Sequence, residues 1–229
     1  MRVLVFDTET TGLPKTKAIT EQFLQLWPHI VQLSYIIYDT EIKEIIKIKD
    51  CIIKIPKNII ISNESIKLHG ITNEISSTNG YDIDYIIEEF IGDLINNNDY
   101  IIGHNIDFDI KMIKVELMRL CKQSETIENT DKYMTYISIL KNIKQYYCTM
   151  QESIEICNIK MKDKYGKEYL KFPKLIELHE KLFNSLPNGL HNSLNDILIC
   201  LRCFYKIKYD KDITEENDEI NRLINKLLV

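Results

Sequence analysis

Apolar residues recur along the chain with two periods, and these divide it into strand-like and helix-like segments. Residues 2–6 are a short, nearly all-apolar run, the pattern of a strand covered on both faces. Residues 7–14 form a tight exit carrying Gly12 and Pro14, and 15–28 read as a loop with a short helical piece over 21–26. A second strand is predicted over 30–38 and a third over 43–55, joined by a hairpin turn at 39–41. Residues 56–65 read as a turn-rich connection, 68–71 as a loop and 72–81 as a polar segment. Ile83, Ile86, Ile87, Phe90, Ile91 and Leu94 fall at helical spacing and predict a helix over 82–96, stopped by the asparagines 96–98. A short strand over 100–102 ends at Gly103, and a helix follows over 107–121. Residues 133–148 fit either helix or strand, and 161–172, polar and aromatic, read as an exposed loop or small hairpin. Helices are expected over 173–183 and 191–207, with a short terminal one over 220–229.

Early strands followed by alternating helices and short strands predict one α/β layer domain spanning residues 1–229. The second and third strands are joined too tightly for a parallel crossover, so the central β-sheet is expected to be mixed and flanked by helices. No internal repeat or interdomain linker stands out, and no apolar stretch approaches the length of a membrane span.

Composition changes this picture little. Hydrophobic residues make up 45% and charged residues 28%, which excludes a disordered tail protein, a collagen-like fibre and a small disulfide scaffold. The formal charge of −5 argues against indiscriminate coating of duplex nucleic acid, which needs a large positive excess. A local basic patch beside an acidic cleft is compatible with it. The bias toward Ile, Asn, Lys and Tyr reads as the coding signature of an A/T-rich organism or a large DNA virus. The six cysteines follow no signal peptide, so an intracellular protein with free thiols is expected. Cys200 and Cys203 have zinc-knuckle spacing but lie in an apolar run without a second ligand pair, and they read as buried helix thiols.

The chemistry concentrates in three short acidic motifs. In Phe6-Asp7-Thr8-Glu9-Thr10-Thr11-Gly12, Asp7 and Glu9 sit where a buried strand opens into a turn. Residues two apart on a strand face the same way, so the two carboxylates repel unless a cation lies between them. Magnesium accepts such oxygen ligands; an acidic surface turn is the plainer reading. Gly103-His104-Asn105-Ile106-Asp107-Phe108-Asp109 again follows an apolar strand and precedes a helix. Spacing alone does not choose between Asp107 and Asp109, although Asp107 suits a helix cap. In His191-Asn192-Ser193-Leu194-Asn195-Asp196, Asp196 opens an apolar helix and His191 lies in the preceding turn. A histidine in such a turn is usually structural; its ordinary pKa near 6.5 also suits proton abstraction from water.

Together these motifs resemble the DEDD exonucleases of the RNase H-like superfamily, in the branch with a catalytic histidine. That branch includes the proofreading subunit of bacterial replicative DNA polymerase, ribonuclease T, oligoribonuclease and the three-prime repair exonucleases. The family's Asp-x-Glu-Thr-Thr-Gly is matched by Asp7, Glu9, Thr10, Thr11 and Gly12, and its His-Asn-x-x-Phe-Asp by His104, Asn105, Phe108 and Asp109. This register selects Asp109 over Asp107. His-x-x-x-x-Asp is matched by His191 and Asp196, and Leu68-His69-Gly70-Ile71-Thr72 resembles a further signature. The resemblance runs from about residue 2 to residue 205.

What the resemblance implies is an RNase H-like α/β fold and a metal-dependent 3′→5′ exonuclease releasing nucleoside 5′-monophosphates. Asp7, Glu9, Asp109 and Asp196 would hold two divalent ions, Mg2+ or Mn2+, and His191 would be the general base. Thr8, Thr10, Gly12, Leu13, His69, Ile71, Asn105 and Phe108 become candidates for holding the terminal nucleotides. The expected substrate is single-stranded DNA or a frayed 3′ end, with an RNA-trimming exonuclease as the alternative enzyme. A catalytically silent nucleic-acid binding module is the alternative of another class. A proofreading role would need a DNA polymerase partner, which no segment identifies. Cys148 stands where family members often carry an aspartate, and the Lys-rich stretch 159–173 lacks a counterpart in the shortest members. That stretch reads either as a phosphate-facing loop or as a solvated charged one.

Overall fold

A computed structural model describes residues 1–96 and 99–228. The strands are β1 (Arg2–Thr10), β2 (Ile30–Asp39), β3 (Glu44–Ile52), β4 (Tyr100–Gly103), β5 (Tyr146–Cys148), β6 (Lys160–Lys162) and β7 (Glu168–Leu170). The longer helices are α3 (Ile83–Ile95), α4 (Ile106–Gln123), α5 (Ile127–Asn142), α8 (Leu175–Phe183), α9 (Ser193–Tyr209) and α10 (Asp218–Asn225). Shorter ones are α1 (Asn63–His69), α2 (Asn73–Asn79), α6 (Thr149–Glu152) and α7 (Ile154–Cys157), with 3-10 turns at Glu21–Leu26 and Ile213–Glu215.

Among the described residues five strands form one sheet in the order β3-β2-β1-β4-β5. β1 pairs antiparallel with β2, and β2 with β3, while β4 runs parallel to both β1 and β5. The sheet is mixed: a tight turn over 40–43, rather than 39–41, makes β2 and β3 antiparallel, and β4 supplies the parallel pairs.

β1 lies at its centre, which explains its apolar run. Val3 and Val5 enter one core with β2 and α9, and Leu4 and Phe6 enter the other with α3 and α4. All four are essentially inaccessible to water. Helices therefore cover both faces, giving the RNase H-like α/β layering expected from the order of elements.

Several local expectations change. The connection after Ile55 does hold a turn and no helix as far as Ser62, but its last residues, 68–69 and most of 72–81 fall in two helices, α1 and α2. Each is capped by a side-chain oxygen: Ser62 accepts from Ser65 N, and Thr72 from Ile75 N. Gly70 ends α1 at a φ of 76°, a left-handed position that suits a residue without Cβ. The ambiguous 133–148 stretch resolves into the end of α5 and the whole of β5, and α5 also takes in the polar residues after Ile127. β6 and β7 make a two-stranded hairpin. The terminal helix runs over Asp218–Asn225, seating Ile220 and Ile224 in the α9 core. Asn97, Asn98 and Val229 lie outside the described residues. The cysteines are free thiols, and Cys200 and Cys203 are buried in α9. Among the described residues no helix is long and apolar enough to cross a membrane.

Candidate active site

Three elements bring the acidic motifs to one end of the sheet. Asp7 and Glu9 alternate with the buried Thr8 near the end of β1, so they share the strand face that carries Val3 and Val5 beneath α9. The register places Asp7 opposite Ser34 and Glu9 opposite Gln32 on β2. Those partners fix the start of α9. The Ser34 and Ser193 hydroxyls lie 2.6 Å apart, and Ser193 N donates to Gln32 Oε1 at 3.3 Å. Asp50 accepts from both Ser34 Oγ and Gln32 Nε2 at 2.7 Å, which completes the network. Asp196, three residues past Ser193, thus sits in the first turn of a helix pinned to the Asp7–Glu9 register.

Asp109 arrives from the opposite layer. β4 runs parallel to β1 and turns at Gly103 into α4, whose first turn carries Asp109. Asp109 is 2% exposed, whereas Asp107 is exposed and pairs with Lys111 one turn along the helix. Asp109 Oδ1 accepts from Thr8 N at 3.1 Å and from Thr8 Oγ1 at 2.7 Å. Both Thr8 donors therefore face Asp109 and hold it in place.

The four carboxyls sense one another. Burial, then Asp109, Asp196 and Glu9, raise the Asp7 carboxyl well above its ordinary value. Burial followed by Asp196 and Asp109 pushes Glu9 up to about 8. Asp109 and Asp196 rise to about 7, each mainly by burial; the Thr8 bonds oppose the rise at Asp109, and the His191 N–H opposes it at Asp196. Burial is the main cause throughout, and neighbouring carboxylates add to it at Asp7, Glu9 and Asp109; a cation among them would relieve both costs. Ligand atoms of Glu9, His191 and Asp196 all lie within 4.8 Å of one another, a group that could hold a metal ion. His191 is exposed at a φ of 67°, and its N–H donates to Asp196 Oδ2 at 3.2 Å.

A cleft of about 1170 Å3 adjoins this site. Thr8, Glu9, Thr10, Gly12, Leu13, His69 and Phe108 line it, while Asp7, Asp109, His191 and Asp196 do not. Leu13 projects into it, 82% exposed. Phe108 packs against the main core at the base of α4. Thr10 Oγ1 is engaged with Gly12 O at 2.7 Å. His69 is buried; its Nδ1 accepts from Ile71 N at 3.0 Å, which leaves Nε2–H to donate to Thr10 O at 3.2 Å. Its ring is a staple across the turn after β1. Ile71 is buried with Val31, Ile55 and Ile61 and does not line the cleft, and Asn105 is exposed outside the lining. His104 bridges Thr149 Oγ1 and Pro173 O at 3.0 Å each, and burial lowers its pKa to about 4.

Two positioning devices escape sequence reasoning. One is the Gln32–Ser34–Ser193–Asp50 network. The other is Arg119, about three turns beyond Asp109 on α4, which donates to the carbonyls of Leu24, Trp27 and Pro28 and to Glu116. Glu116 in turn accepts from Ile30 N at 3.1 Å. The pair holds the cleft wall that carries Trp27. The available signal was Glu116 and Arg119 one turn apart within an otherwise apolar helical stripe.

A family model described as Exonuclease, of the RNase T type, matches residues 4–204. The chain belongs to this exonuclease family. Among curated proteins, none matches the sequence. Among solved structures, the exonuclease resembles Exonuclease I from Methylocaldum szegediense, with a TM-score of 0.59 and 15% identity over 93% of this chain and 42% of that one. Exonuclease I of E. coli in complex with a 5cy-dT13 oligonucleotide aligns with a TM-score of 0.59 and 13% identity over 91% of this chain and 41% of that one. The zinc-bound complex of the E. coli enzyme with single-stranded DNA gives 0.58 and 14%, with the same coverage. At these identities the likeness concerns the fold. The chain spans about two fifths of the Exonuclease I chains it matches.

Proposed function

We propose that this exonuclease hydrolyses single-stranded DNA or frayed ends from the 3′ terminus with the help of two divalent ions, releasing nucleoside 5′-monophosphates. The observation that carries the reading is the convergence of four carboxyls from β1, α4 and α9, with raised pKa values and an adjoining cleft. The donor set suits the ions: these are hard oxygen ligands, and Asp109, tied to Thr8 through Oδ1, keeps Oδ2 for another partner. Asp7, Glu9, Asp109 and Asp196 would hold Mg2+ or Mn2+, which when bound stabilises the attacking and leaving oxygens of an in-line displacement.

The chain's own groups do the rest. Thr8 orients Asp109, and the Ser193 bonds to Gln32 and Ser34 set Asp196 across from Glu9. His191, exposed beside Glu9 and Asp196, takes the proton of the incoming water. Leu13 and Phe108 offer apolar surface to the terminal bases. The oligonucleotide complexes of the E. coli relative favour single-stranded DNA as the substrate.

The test uses purified protein and 5′-labelled oligonucleotides of DNA and RNA, single-stranded and mismatched, with Mg2+, Mn2+ or EDTA. A metal-dependent ladder shortening by one nucleotide from the 3′ end of DNA is expected. Endonucleolytic products, or no cleavage with either ion, would refute the proposal; faster loss of RNA would reassign the substrate.

A further inference from the structure

The segment 160–174 concentrates charge against the trend of the molecule. It holds six lysines against Asp163 and Glu168, a net charge of +4 within a chain of −5. Every residue from 160 to 169 is exposed. Its fold is set locally: β6 and β7 pair in register, and Asp163 Oδ1 accepts from Tyr165 N at 2.8 Å and Lys167 N at 2.9 Å, closing the turn with Gly166 at a φ of 81°. The Asp163 carboxylate is thereby held by backbone amides within the turn, and its charge is already counted in the net +4. The tip presents Lys164, Tyr165 and Lys167, with the Lys164 ammonium 4.9 Å from the centre of the Tyr165 ring. Tyr165 is 82% exposed, Phe172 56% and Tyr169 48%. A merely solvated charged face has no need of large rings held in water between lysines.

The base of the hairpin is tied to the active-site end of the sheet. Pro173 O accepts from His104 Nε2, and His104 directly follows β4 in the connection that leads to Asp109. Lys171 Nζ donates to Glu177 Oε1 at 2.6 Å, and Lys174 N to Glu177 Oε2 at 2.7 Å, which fixes the hairpin to the start of α8. A cationic, aromatic projection thus stands on the same frame as the acidic site.

We propose that this hairpin is a second contact for single-stranded DNA, in which Lys164 and Lys167 meet phosphates and Tyr165 stacks on an unpaired base. Cations alone would suit any polyanion; the exposed ring selects strands whose base faces are free. The contact lies outside the cleft and engages nucleotides beyond those at the cleaved end, so it governs grip on longer strands. The inference rests on the reading of the domain as a single-strand-directed exonuclease.

Binding is measured by fluorescence anisotropy with labelled dT8, dT24 and a 24-base-pair duplex in EDTA, where cleavage does not intervene. Lys164→Ala with Lys167→Ala should reduce the dependence of log affinity for dT24 on log salt by about 1.4, about 0.7 for each lost phosphate contact. Tyr165→Ala should weaken dT24 binding by about 5- to 150-fold, with a smaller loss on dT8. Wild-type affinity and salt dependence in folded variants would overturn the proposal, as would losses on duplex equal to those on dT24. If the double alanine variant lacks the wild-type thermal transition, Lys164→Gln with Lys167→Gln carries the same test. Hairpin-dependent binding by a protein that never cleaves would refute the exonuclease reading and leave this contact standing. Normal cleavage with hairpin-independent binding would do the reverse.

Discussion

Thr8→Val removes one hydroxyl and keeps the shape of the side chain, so it isolates the 2.7 Å bond from Thr8 Oγ1 to Asp109 Oδ1. The backbone bond from Thr8 N remains. Both partners are buried, and the bond favours the ionised carboxyl, which already sits near 7. Hydrogen bonds to charged groups typically contribute about 1.5–3 kcal/mol. Losing one pushes the Asp109 pKa higher still and loosens the carboxylate, so the metal must displace a more tightly held proton from a less ordered ligand. At 1.4 kcal/mol per tenfold, the half-saturating Mg2+ or Mn2+ concentration should rise about 10- to 150-fold. Groups that orient metal ligands commonly have effects of this size. The assay is a metal titration of initial cleavage rate at saturating oligonucleotide, repeated with Thr8→Ser, which restores the hydroxyl and should return most of the affinity. A Thr8→Val enzyme with unchanged metal dependence and a raised KM for DNA would refute this reasoning and return Thr8 to the role of nucleotide ligand.

Asp109→Ala should abolish most activity and Asp107→Ala should leave it near wild type, because Asp107 is exposed and paired with Lys111; equal losses in folded variants would contradict this. His191→Ala should lower single-turnover cleavage by about 10²- to 10⁴-fold while metal affinity falls much less, whereas a parallel collapse of metal binding would make His191 a ligand. In the metal-free protein Glu9, Asp109 and Asp196 have pKa values of about 8, 7 and 7, above their ordinary 4.5, 3.8 and 3.8. The folded state thus holds these protons more tightly than the unfolded chain. Their stabilising effect is complete below about pH 4 and is lost as pH rises through 7 and 8. The melting temperature in EDTA should therefore fall between pH 6 and 8.5, and Mg2+ should stabilise more at the upper end. A pH-independent Mg2+ effect would contradict the coupling.

Much of this architecture is legible without coordinates where a single element carries its own pattern. β1 is apolar because cores press on both its faces, α3 repeats apolar residues at helical spacing because it has one packing face, and α9 is apolar through its middle because it is buried on every side from Ile197 to Tyr205. α1 and α2 hide because each is seven residues long and offers few apolar positions; their signal lies in the caps Ser62 and Thr72 rather than in periodicity. The 133–148 stretch misleads because isoleucine suits both helix and strand, and only the tertiary packing of α5 against α4 decides. The acidic motifs are readable because a strand fixes the direction of Asp7 and Glu9. Choosing Asp109 over Asp107 required either the family register or the burial of one and the exposure of the other. Thr8, Gln32, Ser34 and Ser193 act across elements far apart in sequence, so no local pattern announces their roles. Ile71 shows the converse: a short motif can also mark a residue buried in the core.

The most direct test of the central claim is the anomalous difference map of crystals soaked in Mn2+, compared with crystals of Asp109→Asn treated identically. The account predicts manganese peaks among the carboxylates of Asp7, Glu9, Asp109 and Asp196 in the wild-type protein, and loss or weakening of the peak beside Asp109 in the variant. Manganese absent from this cluster at concentrations that support cleavage, or seated elsewhere on the protein, would contradict it.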